Sequence, residues 1–306
     1  MSQTVVIALD SSDLSARAMP FARTAAHLWH GRMVLVHATV HSGRGGACSV
    51  EGQLSQLVSA LRSEGINADA MLRAEPPARA IVGVARAEHA DLIVMASHQR
   101  HGLNRWLHGS VTEDVLQNTS TPLLVVPAHA IQSSRRTTRV LVPLDGSSAG
   151  EAALDFLSAR LSTRPLEVVL LRMVAVGPVF VGWDSAVIVP PMDARDLEAE
   201  AQSARAYLAQ HAEGLSDEGL RVQRQVIETA EPIARGILDT AQREEVDAIA
   251  LGTHGKGGLA RVVLGSVSEE VLEHSPVPVL LVHSQAASSS GSRALITDGD
   301  RAWPNP

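Results

Sequence analysis

The residues best suited to chemistry lie between Gly252 and Ser266, GTHGKGGLARVVLGS. Glycines at 252, 255, 257 and 258 carry no Cβ, so an anion can approach the main-chain N–H groups and the chain can take positive φ. Gly265-Ser266 opens a run of helical spacing, VSEEVL. Its first-turn N–H groups and dipole favour negative charge by about 0.3–2 kcal/mol. A phosphate chain fits between the two ends. A single glycine loop is as often a tight turn as an anion seat, so the spacing carries the weight. It matches neither the GxxxxGK[ST] of P-loop enzymes nor the GxGxxG that opens a Rossmann helix.

Asp145 closes an apolar run inside PLDGS. An aspartate before Gly-Ser reads as a turn or helix N-cap residue, or as an acceptor for ligand hydroxyls. Lys256 and Arg261 either screen phosphate charge or are solvated surface cations, and His254 reads as a loop anchor. His98, His101 and His108 have no zinc spacing and no cysteine or carboxylate nearby, so no metal site is assigned to them. Phosphoryl transfer needs a positioned nucleophile, metal ligands and cationic clamps. No residue supplies the base, and no catalytic residue is assigned.

The spacing Gly252, two residues, Gly255, nine residues, Gly265-Ser266 resembles the ATP-binding motif of the universal stress protein family, G-x2-G-x9-G-[ST]. LGTHGKGGL, LGSVSEEVL and the terminal PVPVLLV agree with that family, and the resemblance covers about residues 3–284. It implies ATP, or AMP or ADP, as ligand, with Mg²⁺ accompanying the triphosphate. It also implies that Asp145 bonds the ribose hydroxyls and that the backbone at Met173, just after a strand, reads the adenine edge. The family's more usual histidine before that position is Arg172 here. The remaining implied contacts are Pro143 and Leu144 before the aspartate, and Gly252, Thr253, Gly255 and Lys256 in the loop. Gly265, Ser266 and Val267 complete them at the helix start. A stress-response or regulatory role follows, with an unidentified protein partner. The competing readings are a slow ATPase or nucleotide-transfer enzyme, and a dimerisation module without nucleotide.

Two internal copies must position these residues. Val5–Ser12 recurs as Val140–Ser147 at an offset of 135, while Glu75-Pro76, Asp91–Val94 and Gly109-Ser110 recur at an offset of 156. The second copy therefore holds 21 more residues, placed around Val176–Ala194. That stretch reads as a lid or as a packing flap. The expected division is a first domain over 1–128, a second over 139–284 and a disordered tail over 285–306. In each copy short apolar strands alternate with helices of ten or so residues, which implies βαβ crossovers and a crevice at the carboxyl ends of the strands. Copy one places helices over Ser12–Trp29, Gln53–Arg62, Pro77–Glu88 and Gly109–Gln117. Copy two places strands over Val140–Leu144, Val168–Leu171, Val222–Ile227, Ala248–Leu251 and Val279–His283.

The expected fold is α/β: two tandem open, mostly parallel five-stranded sheets with flanking helices, Rossmann-like. The family's pairing through last strands, PLLVV and PVLLV, makes the chain an intrachain pseudo-dimer and leaves open whether two chains associate. In copy one Ala96, Gln99 and His101 stand where Gly252, Gly255 and Gly257 stand in copy two. Nucleotide is accordingly expected in copy two.

Composition agrees. The 306 residues are 45% hydrophobic with 3% aromatic, a Val, Leu, Ile and Ala core suited to a parallel sheet. A net charge of −7 argues against a nucleic-acid footprint. The single cysteine, Cys48, forms no intrachain disulfide, and no apolar run reaches the ~18 residues that span a bilayer. A cytoplasmic protein is expected.

Overall fold

The computed structural model describes residues 3–10, 13–39, 44–97, 111–130, 137–161, 166–176, 179–180, 186–187, 193–253 and 264–284. Copy one runs β1 (Thr4–Leu9), α1 (Asp13–Trp29), β2 (Arg32–Ala38), α2 (Arg44–Ser63), β3 (Asn67–Arg73), α3 (Pro77–Ala87), β4 (Leu92–Ala96), α4 (Val111–Asn118) and β5 (Leu123–Val126). Copy two follows as β6 (Thr138–Pro143), α5 (Ser148–Leu161), β7 (Leu166–Ala175), β8 (Val179–Phe180), β9 (Ala186–Val187), α6 (Ala194–Asp217), β10 (Arg221–Thr229), α7 (Ile233–Arg243), β11 (Ala248–Thr253), α8 (Ser266–His274) and β12 (Val279–His283). The tail from 285 and the loop over 254–263 lie outside the described residues.

Ten strands form one sheet in the order β10-β7-β6-β11-β12-β5-β4-β1-β2-β3. Neighbours are parallel except β12 and β5, which pair antiparallel with Val279, Leu280 and Leu281 opposite Val125, Leu124 and Leu123. Leu124 and Leu280 are equivalent residues of the two copies, and each faces the other. A pseudo-two-fold axis passes between them. The expected pairing through last strands is therefore present, and it covers two apolar edges that would otherwise template aggregation.

Both faces of the sheet are buried, which is why the strands read as apolar runs rather than alternating ones. Side chains alternate between two cores. Val140, Val142, Leu144, Val168 and Leu170 pack on one face beneath α1, α2, α5 and α6. Leu141, Val169, Leu171, Ile249 and Leu251 pack on the other beneath α3, α4, α7 and α8. Helix α7 shows the pattern from its sequence: Ala234, Ile237 and Ala241 recur at helical spacing and all are buried. The copies also meet through helices, where Trp29 of α1 packs edge-on against Phe156 of α5 at 6.1 Å between centroids. Arg160 of α5 donates to Asp91 of copy one at 2.6 Å, and the other oxygen of Asp91 accepts from Thr4 N–H.

Two elements are markedly longer than the sequence pattern suggests. Helix α2 begins at Arg44 rather than Gln53 and passes through Gly45-Gly46, since propensity is only a weak prior against chain context. Strand β7 continues to Ala175 because β10 pairs with it from Glu167 to Ala175. Met173 consequently lies inside a strand instead of just after one. Within the extra stretch of copy two, β8 and β9 pair antiparallel.

Candidate nucleotide-binding site

The strand order of copy two reverses at β6: α5 leads to β7 on one side, while β11 lies on the other. Such a switch point opens a crevice at the carboxyl ends of the strands. Here the opening is pronounced because β6 ends at Pro143 while β7 runs on to Ala175. On the far side β11 pairs with β6 only at Ala248 and Ile249.

Pro143 is the last residue of β6, and Leu144 behind it is buried, its N–H donating to Leu171 O at 2.8 Å. Asp145 then turns the chain. Its Oδ1 accepts from the N–H of Ser147 at 2.9 Å and from the Ser147 hydroxyl at 2.6 Å. The Ser147 hydroxyl accepts in turn from Gly150 N–H at 3.1 Å, capping α5. Gly146 between them has φ +81, a conformation that favours glycine. Partial burial opposes ionisation of Asp145, but the hydroxyl and N–H of Ser147 and the charge of Arg172 outweigh it. Its carboxyl is held below the ordinary aspartate range. The turn reading and the acceptor reading of Asp145 are thus compatible: Oδ1 makes the turn and the side chain remains exposed.

Met173 offers its main chain to the crevice by strand geometry. Successive residues of a strand direct their N–H and C=O to alternate sides. Leu171 O bonds toward β6, so Met173, two residues on, directs its groups to the same side, where β6 has ended. Its side chain turns toward α7. A Cβ on Gly236 would stand 2.2 Å from Met173 Cε. The equivalent pair in copy one is Ala80 with Ala38, a reciprocal exchange of volume.

Gly252 has a different reason for being glycine than anion approach or positive φ. A Cβ there would stand 1.5 Å from Ala149 O and 2.9 Å from Gly150 N, so the first turn of α5 rests directly on β11. Its copy-one equivalent, Ala96, is buried in the core with a Cβ accommodated. Thr253 points into the other core, where its hydroxyl meets His283 Nδ1 at 2.8 Å. Only its main chain is left for a ligand.

Gly265 is the N-cap of α8, with φ −68 and no side-chain cap. Among the described residues nothing lies within 4 Å of the place of its Cβ. Among them, neither packing nor dihedral requires glycine here. Ser266 beside it is exposed, and Val267 packs its side chain on the α7 and α8 face. Gly255 and Lys256 lie outside the described residues, as do His254 and Arg261 and the copy-one segment 98–110.

Sequence reading passed over Ser147, Gly150 and Gly236, and gave Arg172 only as a substitution. Gly150 carried a signal, since glycine in a helical first turn marks close approach: a Cβ there would lie 3.0 Å from Asp145 Oδ1. Among the described residues no group of three or more His, Cys, Asp or Glu is arranged to hold a metal. No helix among them is long and apolar enough to cross a membrane.

Fold and site together define a tandem α/β protein with a switch-point crevice at the aspartate turn of its second copy. The chain belongs to the universal stress protein family, whose model matches twice, over residues 1–127 and 136–283. A universal stress protein of Mycolicibacterium smegmatis is 28% identical over 72% of this chain and 70% of that one. One from Mycobacterium tuberculosis is 26% identical over 64% of this chain and 62% of its own length. A universal stress protein from Archaeoglobus fulgidus shares the fold at TM-score 0.70 and 20% identity, covering 93% of this chain and 99% of that one. Another from the same organism, solved in complex with dAMP, is 27% identical over 40% of this chain and 96% of that one, at TM-score 0.34.

Proposed function

We propose that this chain binds an adenine nucleotide in its second copy, ATP with Mg²⁺ or else AMP or ADP, and acts in the cytoplasm as a stress-response regulator rather than by turnover. The observation that carries the reading is Gly265, a glycine at a helix N-terminus that neither its dihedrals nor packing among the described residues requires. An anion seated against that uncapped first turn accounts for it. Two further features support the same ligand. An ionised Asp145 at the end of β6 suits ribose hydroxyls, and the Met173 main chain facing the open side of β7 suits the hydrogen-bonding edge of adenine. Mg²⁺ chemistry would be limited to neutralising the triphosphate, with Ser266 the nearest hydroxyl at the helix start.

Copy two, residues 139–284, is the holder in this reading because copy one, residues 1–128, carries Gln99 and His101 in the places of the loop glycines Gly255 and Gly257. Isothermal titration of the whole chain with ATP tests it, together with mass spectrometry of nucleotide released on mild denaturation. The expected result is about one site per chain, with hydrolysis far below the ~10 s⁻¹ of a median enzyme. Two equal sites would reject the assignment to copy two. Turnover above about 1 s⁻¹ that Gly265→Arg abolishes would reject the regulator in favour of an ATPase.

A further inference from the structure

We propose that Arg172 is a positioning residue of the copy-two crevice: it fixes the Leu144-Asp145-Gly146 turn against helix α6 and so holds Asp145 in place for the hydroxyls of a ligand. This rests on the nucleotide reading. The guanidinium donates from Nη1 to Leu144 O at 3.2 Å, on the residue just before Asp145. The same nitrogen lies 3.5 Å from the place of a Cβ on Gly146, ordinary contact distance, so the cation lies against the turn. On its other side the guanidinium carbon is 5.9 Å from the centroid of the Tyr207 ring, and Nη2 is 3.9 Å from Glu200 Oε1.

Tyr207 is itself fixed. Its hydroxyl donates to Glu151 Oε1 at 2.9 Å, and its ring meets His211 edge-on at 4.6 Å. His211 Nε2 stands 3.3 Å from the same Glu151 oxygen. A planar fork on a carbonyl and over an aromatic face is a task for arginine, and lysine reproduces its charge but not its geometry. A ligand acceptor already held in place loses less conformational freedom on binding than a loose surface aspartate.

The duplication separates this arrangement from generic packing. At an offset of 135, Arg172 corresponds to His37 and Glu151 to Ala16, so copy one has neither the fork nor its tyrosine-bearing anchor. Helix α6 starts at Ala194, directly after the stretch that copy one lacks. Arg172 is thus where α6 of copy two meets the aspartate turn.

The test uses the full chain and AMP as probe, titrated from about pH 4 to 8 for the wild type, Arg172→Met, Arg172→His and Arg172→Lys, around the ordinary carboxyl range. Alongside it, a ¹³C titration of Asp145 is recorded on each ligand-free protein. The charged and titratable groups near Asp145 are Arg172 of β7, Glu151 and Asp155 of α5, and Glu200, Tyr207 and His211 of α6. The carbon signal reports Asp145 apart from these.

The expected result is about ten-fold weaker AMP binding in Arg172→Met and Arg172→His. The acid limb of the binding profile and the Asp145 titration both move to higher pH. Arg172→Lys returns the acid limb while leaving affinity reduced. Wild-type affinity and an unmoved titration in Arg172→Met would overturn the proposal and leave the nucleotide reading standing. Absence of both AMP and ATP binding by the wild type would instead remove the nucleotide reading, and the ligand-free titration still decides whether Arg172 governs Asp145.

Discussion

The carbonyl oxygen of Ala149 lies 1.5 Å from where a Cβ on Gly252 would stand. The glycine thus seats the helix that follows the aspartate turn, and the proposed ligand contact and helix packing are joined at one residue. The obstructing atoms are backbone, so they cannot rotate away. Gly252→Ala must therefore displace the first turn of α5, at a cost of about 1–3 kcal/mol or more. The denaturant midpoint is expected to fall, and AMP affinity to fall with it. An unchanged midpoint would contradict the packing account.

Asp145→Asn separates the two roles of that aspartate. The amide oxygen still accepts from Ser147, so stability should change by less than about 1 kcal/mol. The charge offered to ribose hydroxyls is lost, which should weaken AMP binding ten- to a hundred-fold, about 1.5–3 kcal/mol. Titration calorimetry and thermal melts on the same sample decide it, and a large stability loss with intact binding would assign Asp145 to the turn alone.

Gly236 and Met173 are expected to be coupled. The atom that a Cβ on Gly236 would meet is the end of a flexible side chain, Met173 Cε. Gly236→Ala should accordingly cost only about 1 kcal/mol, through an unfavourable methionine rotamer. Adding Met173→Ala recreates the Ala80 and Ala38 pair of copy one and should recover most of that loss. A double-mutant cycle with an interaction energy under about 0.3 kcal/mol would show that the volumes are not exchanged.

His283 makes stability depend on pH. Burial lowers its pKa from 6.5 to about 4. Its Nδ1 is engaged with Thr253, while Nε2 is buried and, among the described residues, unpartnered. The unfolded chain takes up this proton near pH 6.5 and the folded chain only near 4, so between these values the unfolded state binds more protons. The stability contribution is complete above about pH 6.5 and is lost as pH falls toward 4, by about 3 kcal/mol in all. Chemical denaturation between those limits should show a shallower loss in His283→Leu than in the wild type. Parallel curves would remove His283 from the account.

The sequence by itself determined the duplication, the α/β class and the strand cores. Apolar runs such as VVIAL and VLVPL can persist at both faces of a sheet only when helices cover both, and motifs that recur in the same order leave one architecture for two copies. It also singled out Asp145, because PLDGS places a turn residue at a strand end. What the sequence could not carry was distance. Whether Gly252 is bare for a ligand or for Ala149 depends on where α5 lies over β11, and only the tertiary structure decided for the helix. The length of β7 depended on pairing with β10, whose residues are some fifty positions away, and that pairing moved Met173 inside a strand. Arg172 gained its role in the same way. Leu144, Gly146 and Tyr207 are scattered along the chain and converge on its guanidinium only because β6, β7 and α6 are neighbours in the fold.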